Sequence, residues 1–513
     1  GLQAGRTTRG PRSLGSPELE LPDAASYFEL MQRQGVIVDQ AVRRTEIKRQ
    51  IEKLAVKAGG LLKDDPDLLD EVTNLVEQPT ALLGHFEEEF LNLPSAVLTT
   101  VMKKHQRYFA VLDRKGNLLP VFIAVRNGGT KNLGVVTEGN EHVIRARFSD
   151  ARFFYSEDIR QPLISYLPKL KMLTFQESLG SYYDKAARLE GLAARLGGLL
   201  GLQDDELDIA IRAARLAKAD LATKMVIEMT SLQGIMGREY ALLSGEPPAV
   251  AEAVAEHYQP RGAGDALPRS AAGIAVALAD RLDSLVGLFA VGLAPTGSAD
   301  PYGLRRAALG VVQILLGHQI SLDLRQVISW AAQSQAVEVT DEAKSSVLEF
   351  IAGRLRGVLR ETYRHDIVEA VLGAQSHDPY RAAVYADRLN HRVAQDGWQS
   401  ILDAYARCVR ITRGAAERLT LRPEKLQEPV ERRLYEAYQR AASALAQNAD
   451  VDTLLDELAG MTSSIAAFFA PAAEGGVLVM HEDKAIRENR LALLQHISAL
   501  PEGIVDLSQL EGF

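Results

Sequence analysis

Ala277-Leu-Ala-Asp-Arg-Leu-Asp-Ser-Leu-Val-Gly-Leu-Phe, followed by Asp300-Pro-Tyr-Gly-Leu-Arg-Arg-Ala-Ala-Leu-Gly, sets charged residues inside an otherwise apolar pattern. From Ala271 to Phe289 apolar residues recur at three- and four-residue steps. Asp280, Arg281 and Asp283 therefore share a helix with Ile274, Leu278, Leu282, Leu285 and Leu288. A carboxylate buried in such a helix needs a partner.

Working outward, other conspicuous blocks stand upstream: His105-Gln-Arg-Tyr-Phe, Gly139-Asn-Glu-His-Val-Ile-Arg-Ala-Arg-Phe-Ser-Asp-Ala-Arg-Phe-Phe-Tyr, Leu179-Gly-Ser-Tyr-Tyr-Asp-Lys and Gln233-Gly-Ile-Met-Gly. Downstream comes Arg487-Glu-Asn-Arg-Leu-Ala-Leu-Leu. In this order they resemble the β subunit of the heterotetrameric bacterial and plastid type of glycyl-tRNA synthetase, over residues 22 to 513. One block alone is weak evidence, and it is the shared order that turns a motif match into support.

Composition sets the limits. With 513 residues the chain is too long for one core, and about 3 to 4 domains are expected. The 47% hydrophobic and 24% charged residues are those of an ordinary globular protein. The single cysteine, Cys408, excludes an internal disulfide framework and a multi-thiolate metal site. No apolar run approaches the ~20 residues of a membrane span, so no membrane partner is expected.

The formal charge of −9 argues against a uniformly basic nucleic-acid sleeve. Local charge differs. Between Arg407 and Lys425 six basic residues, Arg407, Arg410, Arg413, Arg418, Arg422 and Lys425, face two acids, Glu417 and Glu424. The first three arginines recur at three-residue steps and should align on a helix.

The opening residues carry Arg6, Arg9 and Arg12 without an acid, which superficially suits a transit peptide. The chain does not begin with Met, and family members can have further domains before this point, so residues 1–21 are read as an interdomain linker of a longer chain. Residues 22–160 mix helical patterns, at Val42 to Ala58 and Asp65 to Glu77, with a hairpin. Its strands are Tyr108 to Leu112 and Leu118 to Arg126, split by the turn Asp113-Arg-Lys-Gly-Asn. Beyond Gln161 helices run to the end, broken at Gly245 to Pro248, Pro260 to Pro268 and Pro295 to Pro301.

Leu179 to Leu315 resembles a helical HD domain, whose active members bind a metal through a His, a His-Asp pair and a later Asp. By the helical pattern Lys185 falls at the first His, Ala219-Asp220 replaces His-Asp, and Asp280 sits at the later Asp. Both imidazoles are missing, so these are read as vestigial positions, their carboxylates paired to Arg188, Arg215 or Arg281. Two literal His-Asp dipeptides, His365-Asp366 and His377-Asp378, lie near expected helix ends and read as cap or turn residues. No His pair has zinc-ligand spacing, and no metal site is expected.

Adenylation demands phosphate-binding devices that the sequence lacks. It has no Gly-x-x-x-x-Gly-Lys-Ser/Thr loop, no Gly-x-Gly-x-x-Gly at a strand-helix junction, and neither block of the class I synthetases. His105-Gln-Arg-Tyr-Phe offers stacking and phosphate contacts to unpaired nucleotides or, equally, core packing by Tyr108 and Phe109. Arg145, Arg147 and Arg152 read as lacing an exposed helix face with Asp150 and Glu157 in preference to binding RNA.

The helices from Ile401 onward resemble the anticodon-binding domain shared with arginyl-tRNA synthetases, and Arg487, Asn489 and Arg490 match its motif, either hydrogen-bonding bases and phosphates or, for some of them, capping and tying helices together. The resulting fold expectation is mainly α and multidomain. It comprises a linker (1–21), an N-terminal α+β module (22–160), a degenerate HD-like helical domain (161–330), a helical connecting region (331–400) and a C-terminal helical anticodon-binding domain (401–513).

The resemblance implies a tRNA-binding β portion of a glycine-tRNA ligase. ATP and Mg²⁺ are expected at the α active site and no cofactor or catalytic residue in this chain. Its partners would be glycine tRNA and the α subunit or α region, in a dimer of αβ units. The closing Asp506-Leu-Ser-Gln-Leu-Glu-Gly-Phe resembles the plastid branch, giving the plastid stroma, then mitochondria, with the bacterial cytoplasm as alternative. Arg407, Arg410, Arg413, Arg487, Asn489 and Arg490 are the tRNA-binding candidates. The rival reading is an HD-type metal-dependent phosphohydrolase with a helical accessory module.

Overall fold

The computed structural model describes residues 5–12, 15–414 and 417–513. The chain divides into two compact units, each assembled from two separate stretches. The first joins Gly1–Leu173 to Leu216–Ala251, and the second joins Thr174–Arg215 to Glu252–Phe513. Helices dominate both, and the multidomain, mainly helical class is the one the periodicity implies.

In the first unit a four-stranded antiparallel sheet runs in the order Leu61–Leu62, Phe109–Leu112, Leu118–Asn127, Pro79–His85. The expected hairpin is its centre. Asp113 turns it by accepting hydrogen bonds from the amides of Lys115 and Asn117, both at 2.8 Å. Strand residues alternate faces. Val121 and Ile123 join Phe109 and Val111 against Ile47 and Ile51 of the helix Gln40–Lys57 and Leu69 and Val72 of Pro66–Leu75.

On the opposite face Phe122 stacks on Tyr108 with centroids 4.5 Å apart. Gly84 on the neighbouring strand leaves room for it, since a Cβ there would stand 2.3 Å from the Phe122 ring. The strand Pro79–His85 has no counterpart in the sequence reading. It opens on a proline and contains a glycine, features that weaken a strand signal and are tolerated at a sheet edge, where this strand lies. Within the expected linker, Thr7–Arg9 and Glu18–Glu20 pair as a two-stranded ribbon.

A 26-residue helix, Leu133–Asp158, ends on a buried carboxylate. Asp158 accepts the amides of Lys224 and Met225 at 2.9 Å each and the Tyr240 hydroxyl at 2.9 Å, tying the stretch after Leu216 into this unit. Burial, and next the Asp158 charge, push the Tyr240 hydroxyl far above its usual pKa, so it remains a donor.

The second unit is built around the helix Ala271–Ala290, which is apolar nearly all round and packs against Tyr182–Leu199, Leu304–Gly317, Leu324–Gln333 and Asp341–Arg360. Its charges are answered internally. Asp283 is wholly buried and accepts from Arg188 Nε at 2.6 Å and Lys185 Nζ at 2.8 Å. Lys185 also meets Asp280 at 3.0 Å and the Ser284 hydroxyl at 2.8 Å. Arg281 spends its donors on the carbonyls of His257, Ala277, Tyr258 and Pro260. Gly310 makes way for it, because a Cβ there would lie 2.4 Å from Arg281 Nε. The last four long helices, Trp398–Thr412, Pro429–Gln447, Val451–Phe468 and Lys484–Ser498, close over Cys408, Leu434, Met461, Phe468 and Leu493.

The ion cluster sets a pH window. Burial pulls the Lys185 ammonium down, but Asp280 and Asp283 more than reverse this and hold it above its ordinary 10.5. Burial pushes the Asp283 carboxyl up, but Lys185 and Arg188 more than reverse this and hold it below 3.8. The cluster's stabilisation is thus fully present between those values. It is lost as pH falls from 3.8 through the folded Asp283 value, and as pH rises from 10.5 through that of Lys185. Lys185→Met leaves the carboxylates short of a counter-charge and is expected to cost about 3–5 kcal/mol, read as a lowered urea midpoint at neutral pH. An unchanged midpoint would mean that the cluster does not hold these helices together.

Candidate nucleic-acid interface and the vestigial metal positions

The helix Trp398–Thr412 buries Leu402, Tyr405 and Cys408 and turns Arg407 and Arg410 outward, with Arg413 exposed as its C-cap. None of the three guanidiniums is in a salt bridge among the described residues. Arg410 and Arg413 instead lie over the ring of Phe513, at 5.9 and 5.8 Å from its centroid. Tyr405 packs beside that ring at 6.0 Å and donates its hydroxyl to the Ser498 carbonyl at 2.9 Å. Burial pushes the Tyr405 hydroxyl well up.

Arg418, Arg422 and Lys425 continue the exposed basic run, while Ala415 and Ala416 lie outside the described residues. The His496 pKa is lowered, chiefly by burial and then by the Arg418 charge. Phe513 is a component that sequence reasoning missed. It is a hundred positions from Arg413, and no local spacing could connect them.

Arg487, Asn489 and Arg490 take different positions from those expected of base readers. Asn489 and Arg490 are buried. Asn489 accepts the Arg422 amide at 2.8 Å and donates to the Arg422 carbonyl at 3.1 Å. Arg490 donates to Glu431 at 2.5 Å and to the Leu478 carbonyl at 2.8 Å. Glu431, also buried, accepts the amides of Gln427 and Glu428 at the start of Pro429–Gln447. These two residues are internal ties between segments, which corrects their assignment as tRNA contacts. Half-buried Arg487 reaches back to the His481 carbonyl at 2.8 Å. A signal existed, since Arg490 stands three and four residues before Leu493 and Leu494, on the buried helix face.

The vestigial HD positions are distributed between the two units: Lys185 and Asp280 in the second, Ala219 and Asp220 in the first. Their expected pairing needs correction. Arg188 answers Asp283, Arg215 is 3.6 Å from Glu190, Arg281 donates to carbonyls with the Asp280 charge acting on it, and Asp280 meets Lys185 at 3.0 Å. An ammonium shared by Asp280 and Asp283 opposes a second cation there.

Asp220 sits in a short turn, Ala219–Ala222, wholly buried, and accepts the amides of Gly234 at 2.6 Å and Gly237 at 3.1 Å, at the start of the helix Ile235–Leu243. Burial pushes its carboxyl up to about 6, against the pull of those amides and of Lys218. No group of three or more His, Cys, Asp or Glu side chains able to hold a metal occurs among the described residues. Nothing in this arrangement supports the phosphohydrolase alternative.

The remaining blocks are structural. Asp378 is the N-cap of Pro379–Val393, and Asp366 lies in the first turn of His365–Gln375, paired to Arg364 at 2.8 Å. Tyr108 and Phe109 are core, and burial pushes the Tyr108 hydroxyl up to about 12. Arg145 and Arg152 pair with Glu87 at 2.5 Å and Glu89 at 2.9 Å, not with Asp150 and Glu157, because the segment at Glu88–Asn92 packs closer to that face. Arg147 is exposed.

Comparison with known proteins accords with this geometry. The family model described as glycyl-tRNA synthetase beta subunit matches residues 1–373, and that of the DALR anticodon binding domain matches residues 401–504. Similar relatives include the glycine-tRNA ligase beta subunits of Moorella thermoacetica, 42% identical over 520 residues, and Myxococcus xanthus, 41% over 524, each alignment covering 99% of this chain and 74% of the relative. That of Bacillus subtilis is 40% identical over 495 residues, 96% of this chain and 71% of the relative. With a family model over most of its length and relatives of this identity along nearly all of it, the chain belongs to the glycyl-tRNA synthetase β-subunit family and ends in a DALR anticodon-binding domain.

Proposed function

We propose that this chain handles the tRNA for a glycine-tRNA ligase, while the α subunit or α region, with ATP and Mg²⁺, forms the glycyl-adenylate. As a β subunit it is part of the holoenzyme that joins glycine to the 3′ end of its tRNA. The observation that carries the reading is the exposed ridge of Arg407, Arg410 and Arg413, three cations without carboxylate partners among the described residues, in an anticodon-binding domain. In an acidic chain such a ridge supplies the local positive field that phosphate requires. Phe513, beside two of these guanidiniums, adds an aromatic ring near which an unpaired base could stack.

Under this reading the HD-like positions are scaffold. Lys185 supplies internally the positive charge that a metal would bring, and the fold keeps its helices without the chemistry. The holoenzyme is a dimer of αβ units. The relatives named above are bacterial, which supports a bacterial-type enzyme. Placement in a plastid stroma rests on the closing Asp506 to Phe513 segment.

Replacing Arg407, Arg410 and Arg413 by Ala is expected to weaken tRNA binding and flatten its salt dependence by about 0.7 to 0.9 in the log–log slope for each phosphate that is no longer neutralised. Filter binding across salt concentrations measures this, and an unchanged slope would refute the ridge as the contact surface. Arg490→Ala serves as a contrast. It strands Glu431 in the interior and is expected to cost about 3–5 kcal/mol of stability without changing tRNA discrimination in the folded fraction.

The isolated chain is expected to show no glycine-dependent pyrophosphate exchange, because its sequence has none of the phosphate-handling motifs, whereas adding the α part should restore charging. Exchange by this chain alone at the holoenzyme's rate would overturn the division of labour.

A further inference from the structure

A second basic site lies in the α+β part of the first unit. A cleft of about 200 Å³ is lined by Lys63, Lys103, Lys104, Asp65 and Thr100, with Phe109 among its apolar residues. Three ammoniums against one carboxylate leave it net positive. Lys103 is fixed by Asp65 at 2.6 Å, and Asp65 is itself held as the N-cap that accepts the Leu68 amide at 3.0 Å. Lys63 and Lys104 are exposed and have no carboxylate partner among the described residues, and the Thr100 hydroxyl makes no hydrogen bond among them.

The backbone is unusual at the same place. Val101–Gln106 forms a π-helical turn, a rare geometry that concentrates at functional sites. Its wider turn spreads adjacent residues less around the axis than an α-helix does, so the consecutive Lys103 and Lys104 both line the cleft. The turn stops at Arg107, held at φ 56° in the left-handed region and anchored to Glu71 at 2.9 Å. Unusual backbone, net positive lining and a free hydroxyl thus coincide in the segment that includes His105-Gln-Arg-Tyr-Phe.

We propose that this cleft binds a phosphate group of an RNA strand, with Lys63 and Lys104 as the charge contacts, Lys103 as the anchored third cation and Thr100 as hydroxyl donor. This deepens the tRNA-binding reading and rests on it. Size favours a strand over a free nucleotide, because the volume is below the ~300 to 1,000 Å³ of pockets that enclose a whole ligand. A backbone phosphate with the edge of its ribose needs no more room.

The test uses the complete αβ holoenzyme with Lys63→Gln and Lys104→Gln combined, leaving Lys103 with Asp65. The expected result is a drop of about 0.7 to 0.9 in the log–log salt slope of tRNA binding, from one phosphate, with unchanged thermal unfolding and restoration by the Lys63→Arg, Lys104→Arg pair. In parallel, lysine acylation read by mass spectrometry should show Lys63 and Lys104 protected by tRNA and not by ATP.

An unchanged slope in the folded double variant, or no protection by tRNA, overturns the proposal. Equal protection by ATP overturns the RNA strand as the source of the phosphate. If the lysine pair changes nothing while the Arg407, Arg410, Arg413 variant flattens the slope, only the cleft assignment fails. If neither variant changes it, the wider reading fails as well.

Discussion

A carboxylate removed from water has to be answered by the chain itself, and Asp283 is the residue on which that requirement falls most heavily. It lies in the middle of the helix around which the second unit is built, and Lys185 and Arg188, from the helix Tyr182–Leu199, bring it positive charge. Gln335, beyond the helix Leu324–Gln333, adds a neutral donor at 3.0 Å. The attraction is conditional on alignment, because a buried ion pair repays its desolvation only when its geometry is good. Apolar packing on this all-round hydrophobic helix would tolerate rotation or sliding. The cluster does not, and it fixes which faces of the two helices meet.

The same logic separates the two kinds of arginine in the C-terminal domain. Arg490 and Glu431 are both enclosed and complete each other, so that charge belongs to the fold. Arg407, Arg410 and Arg413 point outward with no acid paired to them among the described residues, so their charge remains available to a ligand. Residue type alone does not tell these cases apart. Burial and partner do.

Periodicity made much of the architecture legible. The helix Ala271–Ala290, the hairpin of Phe109–Leu112 with Leu118–Asn127 and the helical run beyond it follow from spacing and turn residues. The edge strand Pro79–His85 was hidden because proline and glycine mask its pattern, and its pairing with Leu118–Asn127 spans a long sequence separation. For the site, the ridge on Trp398–Thr412 was legible because helical spacing predicts a shared face. The partners of Asp280, Arg145 and Arg490 were not, because each lies on another segment and sequence spacing carries no information about which segments meet. Lys63 and Lys104 were invisible for the same reason.

The split make-up of the first unit has a consequence for how the protein is made. Asp158 finishes the long helix, yet the amides and hydroxyl it binds belong to residues at and beyond Lys224, which follow only after the Thr174–Arg215 stretch of the other unit has been synthesised. At about 5–20 residues per second, a ribosome takes roughly 3 to 13 s to cover that gap. For that interval the nascent helix carries a solvated carboxylate at its C-terminal end, where the helix dipole disfavours negative charge. The first unit is therefore not a segment that can close as soon as it emerges. Its completion is coupled to the passage of a piece of the other unit, and a cut between Arg215 and Leu216 would leave both units unfinished.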